Sequence, residues 1–478
     1  MKFKSSSRHQ IFLLPPTVDE LVRPEDLVRL VAEVVDQLDL TPLYQRYYND
    51  GRPPFHPQMM LSVLFYAYCN GIRSSRQIAR RLERDTHFMF LAARETPDFR
   101  TLSDFRKNHL DRLKVFFKQV VLYCAELGMV NLGHISIDGT KIKASASKKQ
   151  TRDEDRLQKE VEKIEKEIAS LMAEAEAIDQ TEDQAFGKDK RGDEIPQQLH
   201  DKRLRKQRLQ SAKALLKEKG WDKINLTDTD ARFMKTATST KEVAYNAQIA
   251  ADAEHQIIIA NDVVTQVNDQ NQFSPIYEQV VDNLGQTPKE ISADAGYATH
   301  KTYEYIQDHG LDAYLPDRLA AKSADPNDPK SQYTKDKFRY DAATDCYICP
   351  QGLPLHYLQI KIKNDVQSRV YRSPDCSGCP AISWCLRKNN KSQRKELSIY
   401  ATDSFIQQMR QKLNSPEGKA KYRKRLSVVE PPFGHLKHNV GFRYFLVRGH
   451  EKVRGEFNLM CIVHNLRKIH QYQMKRAA

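Results

Sequence analysis

The chain has 478 residues and a formal net charge of +14, with 40% hydrophobic and 29% charged residues. This composition excludes a wholly disordered chain, a collagen-like fibre and a polytopic membrane protein. The longest apolar stretch, Met59 to Cys69, is about half of the roughly 18 to 20 residues that a membrane span needs. The apolar run from Ile11 to Leu14 is too short for a signal peptide. We therefore expect a cytoplasmic protein with no membrane partner, whose positive charge favours nucleic acid.

Residues 1–130 have the pattern of a helical DNA-binding domain. Apolar residues spaced by three and four from Leu27 to Leu38 predict one helix, and His56-Pro57 opens a second that ends at Asn70-Gly71. Ser75 is expected to cap a short basic helix, on which Arg76 and Arg80 are candidate DNA contacts. The alternative is a helical bundle with a solvated basic face. A helix from Ser103 to Leu127 is predicted to close the domain.

Residues 149–221 are predicted to form a charged helical hairpin inserted into a larger domain. Apolar residues alternate at steps of four and three from Leu157 to Leu171, which is a heptad seam. A polar break with Gly187 and Gly192 follows, and then a second helix from Leu199 to Leu215. Two antiparallel helices would satisfy both seams; the alternative is an intermolecular coiled coil.

Residues 131–148 and 222–316 have strand patterns around two aspartates. The alternating run from His134 predicts a strand that ends with Asp138 at its tip, before Gly139. The run from Glu290 to Ala293 predicts a second strand with Asp294 at its tip. An antiparallel pair of strands is expected between the two aspartates in the chain. A helix from Ser274 to Leu284 is expected before the second aspartate, and a helix over 299–308 after it. The strands predicted for that pair run from Val243 to Ala251 and from Gln256 to Val264.

Carboxylates at neighbouring strand ends can converge on the same divalent cations. A third carboxylate, for which Glu430 in the helical C-terminal part over 401–478 is the candidate, would complete a site for two Mg²⁺ ions about 3.5 to 4 Å apart. Such a site clamps the attacking and leaving oxygens of a phosphodiester. Taken singly, each of these residues is more often an ordinary turn or surface carboxylate.

Several motifs along the chain resemble the DDE transposases of bacterial insertion sequences, most closely the family numbered eleven eighty-two. The motifs run from Ile137 to Ser147, from Asp230 to Gln248, from Ser292 to Tyr297, from Val429 to Lys437, from Phe442 to Tyr444, from Val447 to Gly449 and from His464 to Leu466. The resemblance spans almost the whole chain. It implies an α/β ribonuclease-H-like catalytic core with an all-α N-terminal domain, a helical-hairpin insertion and a Cys-rich insertion.

The resemblance also implies an activity and a set of site residues. Asp138, Asp294 and Glu430 take the places of the metal-binding catalytic residues, with Mg²⁺ or Mn²⁺ as cofactor. Lys437, six intervening residues after Glu430, is expected to bind DNA phosphate near the cleaved end, and Tyr422 and Arg425 resemble the Tyr and Arg of the same signature. The expected reaction is cleavage and strand transfer of DNA, with the terminal inverted repeats and target DNA as partners and a homodimer or higher oligomer as the active form.

Two features depart from the family signature. Four residues instead of three separate Arg425 from Glu430, and Pro431-Pro432 follow the glutamate directly. Because proline disfavours helical geometry in the residue before it, Glu430 is expected at a kink or at a helix start. The alternative function is a catalytically inactive or domesticated zinc-stapled DNA-binding protein.

Residues 317–400 form a polar, Cys-rich insertion. Two Cys-x-x-Cys pairs and a fifth cysteine have the spacing of a zinc ribbon or knuckle, with structural Zn²⁺ as a second expected metal. The cysteines are Cys346, Cys349, Cys376, Cys379 and Cys385. Reduced, unliganded thiols are the alternative, and Cys385 is either a bystander or a replacement for one ligand.

Overall fold

The computed structural model describes residues 17–47, 53–186, 197–236, 240–317, 328–386, 389–390 and 392–477. The run from Ile11 to Leu14 and the break at Gly187 and Gly192 lie outside the described residues, as do parts of the Cys-rich region. Within the described ranges, no helix is long and apolar enough to cross a membrane.

The N-terminal part is helical, as the apolar spacing predicts. Its helices are α1 (Leu27–Gln37), α2 (Thr41–Tyr44), α3 (Pro57–Cys69), α4 (Ser75–Leu82), α5 (Thr86–Leu91), α6 (Phe99–His109) and α7 (Leu113–Glu126). The single helix expected from Ser103 to Leu127 is therefore wrong, because a 3₁₀ turn at Leu110–Arg112 separates α6 from α7. The expected cap at Ser75 is wrong, because Ser75 is the first residue of α4 and Ser74 occupies the N-cap position, where its side chain accepts no capping hydrogen bond.

The central sheet contains strands of both directions. Its strands are β1 (His134–Lys143), β4 (Arg232–Lys235), β5 (Lys241–Asp252), β6 (Ile258–Val264), β7 (Glu290–Ala293) and β8 (Ala313–Tyr314). In space they run β4-β5-β1-β7-β8, with β6 also paired to β5. Strands β1, β7 and β8 are mutually parallel, and β5 is antiparallel to β1, β4 and β6. Helices α10 (Phe273–Leu284) and α11 (His300–Asp308) follow β6 and β7, so this mixed α/β sheet fits the expected ribonuclease-H-like core.

The strand β1 is longer than its sequence pattern predicts. It continues through Gly139 to Lys143, so the prediction that Asp138 ends the strand is wrong. Pairing with β7 stops at Ile137 opposite Ala293, whereas pairing with β5 continues to Lys143. The antiparallel partner supplies backbone hydrogen bonds beyond the parallel one, and for this reason the strand does not end at Gly139.

Two long helices, α8 (Glu154–Phe186) and α9 (Gln197–Glu218), follow β1 in the chain. Leu157, Val161 and Ile164 of α8 bury their side chains against Leu209, Ala212 and Leu216 of α9. The two-residue strands β2 (Thr151–Arg152) and β3 (Ile224–Asn225) pair at the base of these helices. Leu204, an apolar residue within the predicted second helix, is 41% exposed and lies outside this buried set.

The Cys-rich region contains an antiparallel sheet that the sequence pattern did not predict. Its strands are β9 (Arg339–Asp341), β10 (Cys346–Ile348), β11 (Pro354–Lys363), β12 (Val366–Arg372) and β13 (Glu396–Ile399), in spatial order β13-β12-β11-β10-β9. The short helix α12 (Ile382–Cys385) precedes β13. The small hydrophobic core of the Cys-rich region consists of Phe338, Leu355, Tyr371 and Leu397.

The C-terminal helices are α13 (Asp403–Asn414), α14 (Pro416–Gly434) and α15 (His450–Ala477). The expected helix start at Glu430 is wrong, because α14 begins at Pro416, continues through Pro431 and Pro432 and passes into a π-helical turn, His435–Asn439. The alternative of a kink at Glu430 stays a prediction. Pro431 has no N–H to donate to the Ser427 carbonyl four residues earlier. Gln256 Nε2 donates to that carbonyl instead, at 3.0 Å.

A buried ion pair joins the N-terminal helices to α15. Arg73, directly before α4, donates from a guanidinium nitrogen to Glu456 Oε1 at 2.9 Å, and the two side chains are 9% and 1% exposed. The other Glu456 oxygen accepts the Leu446 N–H at 2.8 Å. Gly455 lets the Leu110 carbonyl approach α15, since a Cβ at this position would lie 2.4 Å from that oxygen. These contacts belong to one hydrophobic core that extends from α1 to α15.

We expect Arg73→Ala and Glu456→Ala each to lower the free energy of unfolding by about 3 to 5 kcal/mol, because each leaves a buried charge without its partner. Urea unfolding followed by circular dichroism measures the change. The control is Asp282→Ala, which breaks the exposed Lys118–Asp282 pair and is expected to cost less than about 1 kcal/mol. An equal decrease in the free energy of unfolding in all three variants would contradict the conclusion that the buried Arg73–Glu456 pair stabilises the fold.

Candidate active site

The strand register brings Asp138 and Asp294 together. Ile137 of β1 pairs with Ala293 of β7, so the next residue on each parallel strand is one of the two aspartates. Each carboxylate also accepts a local backbone N–H, from Gly139 to Asp138 Oδ1 and from Gly296 to Asp294 Oδ1, both at 2.8 Å. The two predicted site residues are therefore adjacent and held in fixed orientations.

The Asp138 carboxylate is partly buried and paired with a cation. Its side chain is 20% exposed, and Arg425 of α14 donates to its Oδ2 at 3.2 Å. Burial raises the pKa of Asp138 to about 6 despite Arg425, and the negative charges of Asp294 and Asp269 add to the increase. The raised pKa of Asp138 therefore has two causes, burial and the nearby negative charges.

Asp269 lies at the same place and was missed from the sequence. It follows β6 in the segment Asn268-Asp269-Gln270, whose only sequence signal is that of a turn. Lys141 of β1 donates to its Oδ1 at 3.0 Å. Burial would raise the pKa of Asp269, but Lys141 and hydrogen bonds from Asn246 and Gln248 hold it below its ordinary value.

Strand β5 supplies amide side chains to this site. Asn246 and Gln248, both fully buried, each donate to Asp269 Oδ1 at 2.8 Å. Gln248 in turn accepts the hydroxyl of buried Tyr297. A Cβ on Gly139 would lie 2.3 Å from Gln248 Nε2, so a glycine is required where these chains meet. Asn246, Gln248 and Tyr297 lie in motifs of the family resemblance, but the sequence does not indicate their contacts with Asp269 or with each other.

Helix α14 and the turn after it carry the other predicted site residues. Arg425 contacts Asp138 and lies 5.7 Å from the ring centre of Tyr422, and burial raises the pKa of that tyrosine. Lys437 donates to Thr140 Oγ1, and burial lowers its pKa although Asp138 opposes the shift. Tyr422, Arg425 and Lys437 therefore all lie near Asp138.

Glu430, the third predicted carboxylate, lies on the same helix as Tyr422 and Arg425. It is exposed, and no residue in the described part of the chain forms a hydrogen bond or ion pair with its carboxylate. It is seven residues, about two helical turns, before Lys437. The structure thus brings Asp138 and Asp294 together, whereas the Glu430 side chain on α14 is exposed to solvent.

The carboxylates fit a hard divalent cation by donor type. Asp138, Asp269 and Asp294 present only oxygen ligands, which Mg²⁺ and Mn²⁺ prefer. Considering all the residues described, no three His, Cys, Asp or Glu side chains stand in an arrangement that holds a metal ion. In the observed arrangement Arg425 and Lys141 compensate the negative charge instead.

The remaining predicted residues lie elsewhere. Arg76 and Arg80 are exposed on α4, where Arg76 lies 5.0 Å from the ring centre of Phe99. Four of the five cysteines line one small cavity in the Cys-rich region, namely Cys349, Cys376, Cys379 and Cys385. Cys346 is not among the lining residues, and its sulfur lies 2.9 Å from Thr344 Oγ1.

The pKa of Asp138 predicts a stability change with pH. Its value of about 6 exceeds the ordinary 3.8, so ionisation destabilises the folded chain progressively between about pH 4 and pH 6. We expect Asp138→Asn to be more stable than the wild type by about 1 to 3 kcal/mol at pH 8 without divalent cations, with the gain shrinking toward pH 4. Urea unfolding across this range measures the difference, and a gain that does not depend on pH would contradict the explanation.

Two protein-family models match the chain. The one described as "Transposase domain (DUF772)" matches residues 16–108, and the one described as "Transposase DDE domain" matches residues 348–470, which include Glu430 and Lys437. No curated protein matches the chain. Asp138 and Asp294 lie outside both matched ranges. Two acidic residues on paired strands are nevertheless what a DDE domain is expected to contain. The chain is a transposase of the DDE type, a polynucleotidyl transferase of the kind carried by bacterial insertion sequences.

Proposed function

We propose that this transposase cuts DNA at the ends of its own element and joins the freed ends to target DNA, with Asp138, Asp294 and Glu430 as the carboxylates of one metal site. The observation that carries the proposal is the parallel register of β1 and β7, which sets Asp138 beside Asp294. The family numbered eleven eighty-two is the proposed subgroup, on the motifs quoted above.

The metal chemistry defines what these carboxylates have to do. Two bound Mg²⁺ or Mn²⁺ ions would supply an activated water and neutralise the charge on the departing 3′ oxygen. Asp138 and Asp294 are held by backbone N–H groups that fix one oxygen of each. Glu430, with its exposed carboxylate on α14, is the proposed third ligand.

Basic side chains around the aspartates are suited to hold DNA phosphates. Lys437 is half-buried against Thr140, and Arg425 lies at Asp138. Cationic groups at fixed positions bind the phosphate backbone without reading sequence. We propose that Lys437, Arg425 and Tyr422 position the cleaved strand against the carboxylates.

We propose that the N-terminal helices recognise the terminal inverted repeats. Arg76 and Arg80 lie exposed on α4 after the tight turn that follows α3, and an exposed basic helix in this position can enter a DNA groove. Pairing two element ends requires at least two copies of the chain, so a homodimer or higher oligomer on DNA is part of the proposal. Action on DNA places the protein at the nucleoid in the cytoplasm.

Cleavage of a labelled duplex that carries the element end and its flank tests the site. We expect Mg²⁺- or Mn²⁺-dependent nicking at the boundary, and a loss of at least about 100-fold in Asp138→Asn, Asp294→Asn and Glu430→Gln, because each removes a metal ligand. DNA binding, measured by gel shift, is expected to persist in all three.

Asp282→Asn is the matched control, since Asp282 is an exposed aspartate paired with Lys118, and it is expected to cut like the wild type. A wild type that binds the end and never cuts it would favour the inactive DNA-binding alternative. If Glu430→Gln alone cuts normally, Glu430 is not a ligand and the other two assignments stand.

We also propose a structural Zn²⁺ in the Cys-rich region, held by Cys349, Cys376, Cys379 and Cys385. The four share one cavity, and the Leu353 N–H donates to Cys349 Sγ at 3.2 Å. Burial raises the pKa of Cys385, and Cys349 and Cys376 lie close enough to add to the increase.

Elemental analysis of the purified protein tests this second proposal. One zinc per chain is expected in the wild type, and Cys379→Ser is expected to lose it, because three thiolates remain. Cys346→Ser is the matched control and is expected to retain the metal. A zinc-free wild type, or equal loss in both variants, would refute the assignment.

A further inference from the structure

We propose that His435, His464 and Gln256 form a hydrogen-bonded clamp that sets the position of Glu430 relative to the central sheet. This inference rests on the proposed function of Glu430 as a metal ligand. It assigns the three residues a positioning role, exerted through the backbone of α14 and of the π-helical turn after it. None of the three is among the predicted site residues.

The helix that carries Glu430 lacks part of its own hydrogen bonding. The two prolines directly after Glu430 have no N–H to donate to the carbonyls four residues earlier, one of which belongs to Ser427. From His435 to Asn439 the backbone forms a π-helical turn, in which each hydrogen bond spans five residues instead of four. Helical geometry alone therefore does not fix the direction of Glu430, and contacts with other elements have to hold this segment.

Gln256 holds the segment before Glu430. It lies in the turn between β5 and β6 with a φ of 59°, a left-handed conformation that a residue other than glycine adopts at a cost. Its side-chain Nε2 donates to the Ser427 carbonyl at 3.0 Å, and its Oε1 accepts from Lys468 Nζ of α15 at 2.6 Å. Both polar atoms of this amide are therefore engaged, and rotating the amide would break these bonds.

A pair of histidines holds the segment after Glu430. His464 of α15 is 1% exposed; its Nε2 lies 2.9 Å from the Gln256 carbonyl oxygen, and its Nδ1 lies 3.1 Å from His435 Nδ1. Because a carbonyl only accepts, His464 Nε2 carries the proton, and Nδ1 of the neutral ring is then the acceptor. His435 therefore donates from Nδ1 to His464, and these partners define the tautomer of both rings at the atoms in contact.

Both imidazoles are neutral in the folded chain at pH 7. Burial lowers the pKa of His435 to about 4 and that of His464 to about 3, and the positive charge of Lys468 adds to both decreases. A bond from one imidazole N–H to the nitrogen of the other requires this neutral state, because a second proton would set two N–H groups against each other. The ionisation of the pair thus agrees with its geometry.

The clamp ties both sides of Glu430 to one turn of the sheet. Gln256 bonds the helix before Glu430 through its side chain, and its carbonyl reaches the turn after Glu430 through the histidine pair. The turn that contains Gln256 follows β5, and β5 pairs with β1 along residues that include Asp138. The backbone around Glu430 is thereby held relative to the strand that carries Asp138.

The competing explanation is that these side chains only stabilise the fold. A purely structural contact acts independently of the Glu430 carboxylate, so the effects of removing the contact and the carboxylate would add. A positioning contact acts through Glu430, so its loss costs little once the carboxylate is gone. Coupling between His435 and Glu430 therefore separates the two explanations.

The first test is cleavage of the labelled element end by His435→Leu. We expect the rate at saturating DNA to fall at least about 10-fold while DNA affinity in a gel shift stays unchanged, because the metal ligand is displaced and the DNA contacts remain. His435→Asn keeps a side-chain N–H near the place of Nδ1 and is expected to stay within about 3-fold of the wild type. His438→Leu changes an exposed histidine of the same turn and is the matched control, expected to cut like the wild type.

The second test is Mn²⁺ binding to the full chain, followed by electron paramagnetic resonance, in Glu430→Gln, His435→Leu and the double variant. We expect each single change to weaken Mn²⁺ binding at least about 5-fold, and the double variant to bind within about 2-fold of Glu430→Gln, because both changes act on the same ligand. Losses that multiply in the double variant, or Mn²⁺ binding by His435→Leu equal to that of the wild type, would overturn the inference.

Gln256→Glu covers the case in which His435→Leu does not fold, as judged by circular dichroism. It keeps an acceptor for Lys468 and loses the N–H that serves the Ser427 carbonyl, so we expect cleavage at least about 10-fold slower with unchanged DNA affinity. A wild-type rate in this variant would count against the clamp.

The outcomes also separate this inference from the proposed function. If Asp138→Asn, Asp294→Asn and Glu430→Gln lose cleavage and the His435 and Gln256 variants do not, the inference fails and the proposed function stands. A Glu430→Gln variant that cuts normally removes Glu430 from the proposed site and the inference with it. A wild type that neither binds Mn²⁺ nor cuts removes both.

Discussion

Negative charge confined to a partly buried space is the constraint on which the active site depends. Asp138, Asp269 and Asp294 lie at one edge of the central sheet, and the pKa of Asp138 at about 6 reflects burial together with the charges of the other two. Arg425 and Lys141, each about 3 Å from a carboxylate, offset that cost. The sheet and helix α14 are arranged so that Lys141 reaches Asp269 and Arg425 reaches Asp138.

Long-range contacts carry this arrangement. Arg425 and Asp138 are 287 positions apart in the chain, and Lys437 and Thr140 are 297 apart. Helix α14 continues through both prolines, and the Gln256 side-chain amide donates to the Ser427 carbonyl, which Pro431 cannot serve. The buried Arg73–Glu456 pair then ties the N-terminal helices to α15. The N-terminal helices and the strands that carry Asp138 and Asp294 thus share one hydrophobic core.

Local periodicity predicted most of the elements. Helix α1 and strand β7 lie within a residue of their expected bounds. Their apolar residues follow the 3.6-residue period of a helix and the two-residue period of a strand, which the local backbone geometry sets. The errors occurred where a partner decides the outcome. Strand β1 runs past Gly139 because β5 pairs with it, and the expected helix over α6 and α7 is interrupted at Leu110, whose carbonyl packs on Gly455. The sheet of the Cys-rich region has too little alternation to be recognised.

The amino-acid sequence by itself determined the class of protein, the two aspartates on adjacent strands and the basic residues of α14, because motif spacing and strand alternation are local. Only the tertiary structure decided which side chains meet. It placed Asp269 near Asp138 and Asp294, grouped Cys385 with Cys349, Cys376 and Cys379 around one cavity, and left the Glu430 side chain exposed on α14. These outcomes depend on strand register, on the direction in which each side chain points and on the balance of burial against charge, and none of the three is encoded in the spacing of residues along the chain.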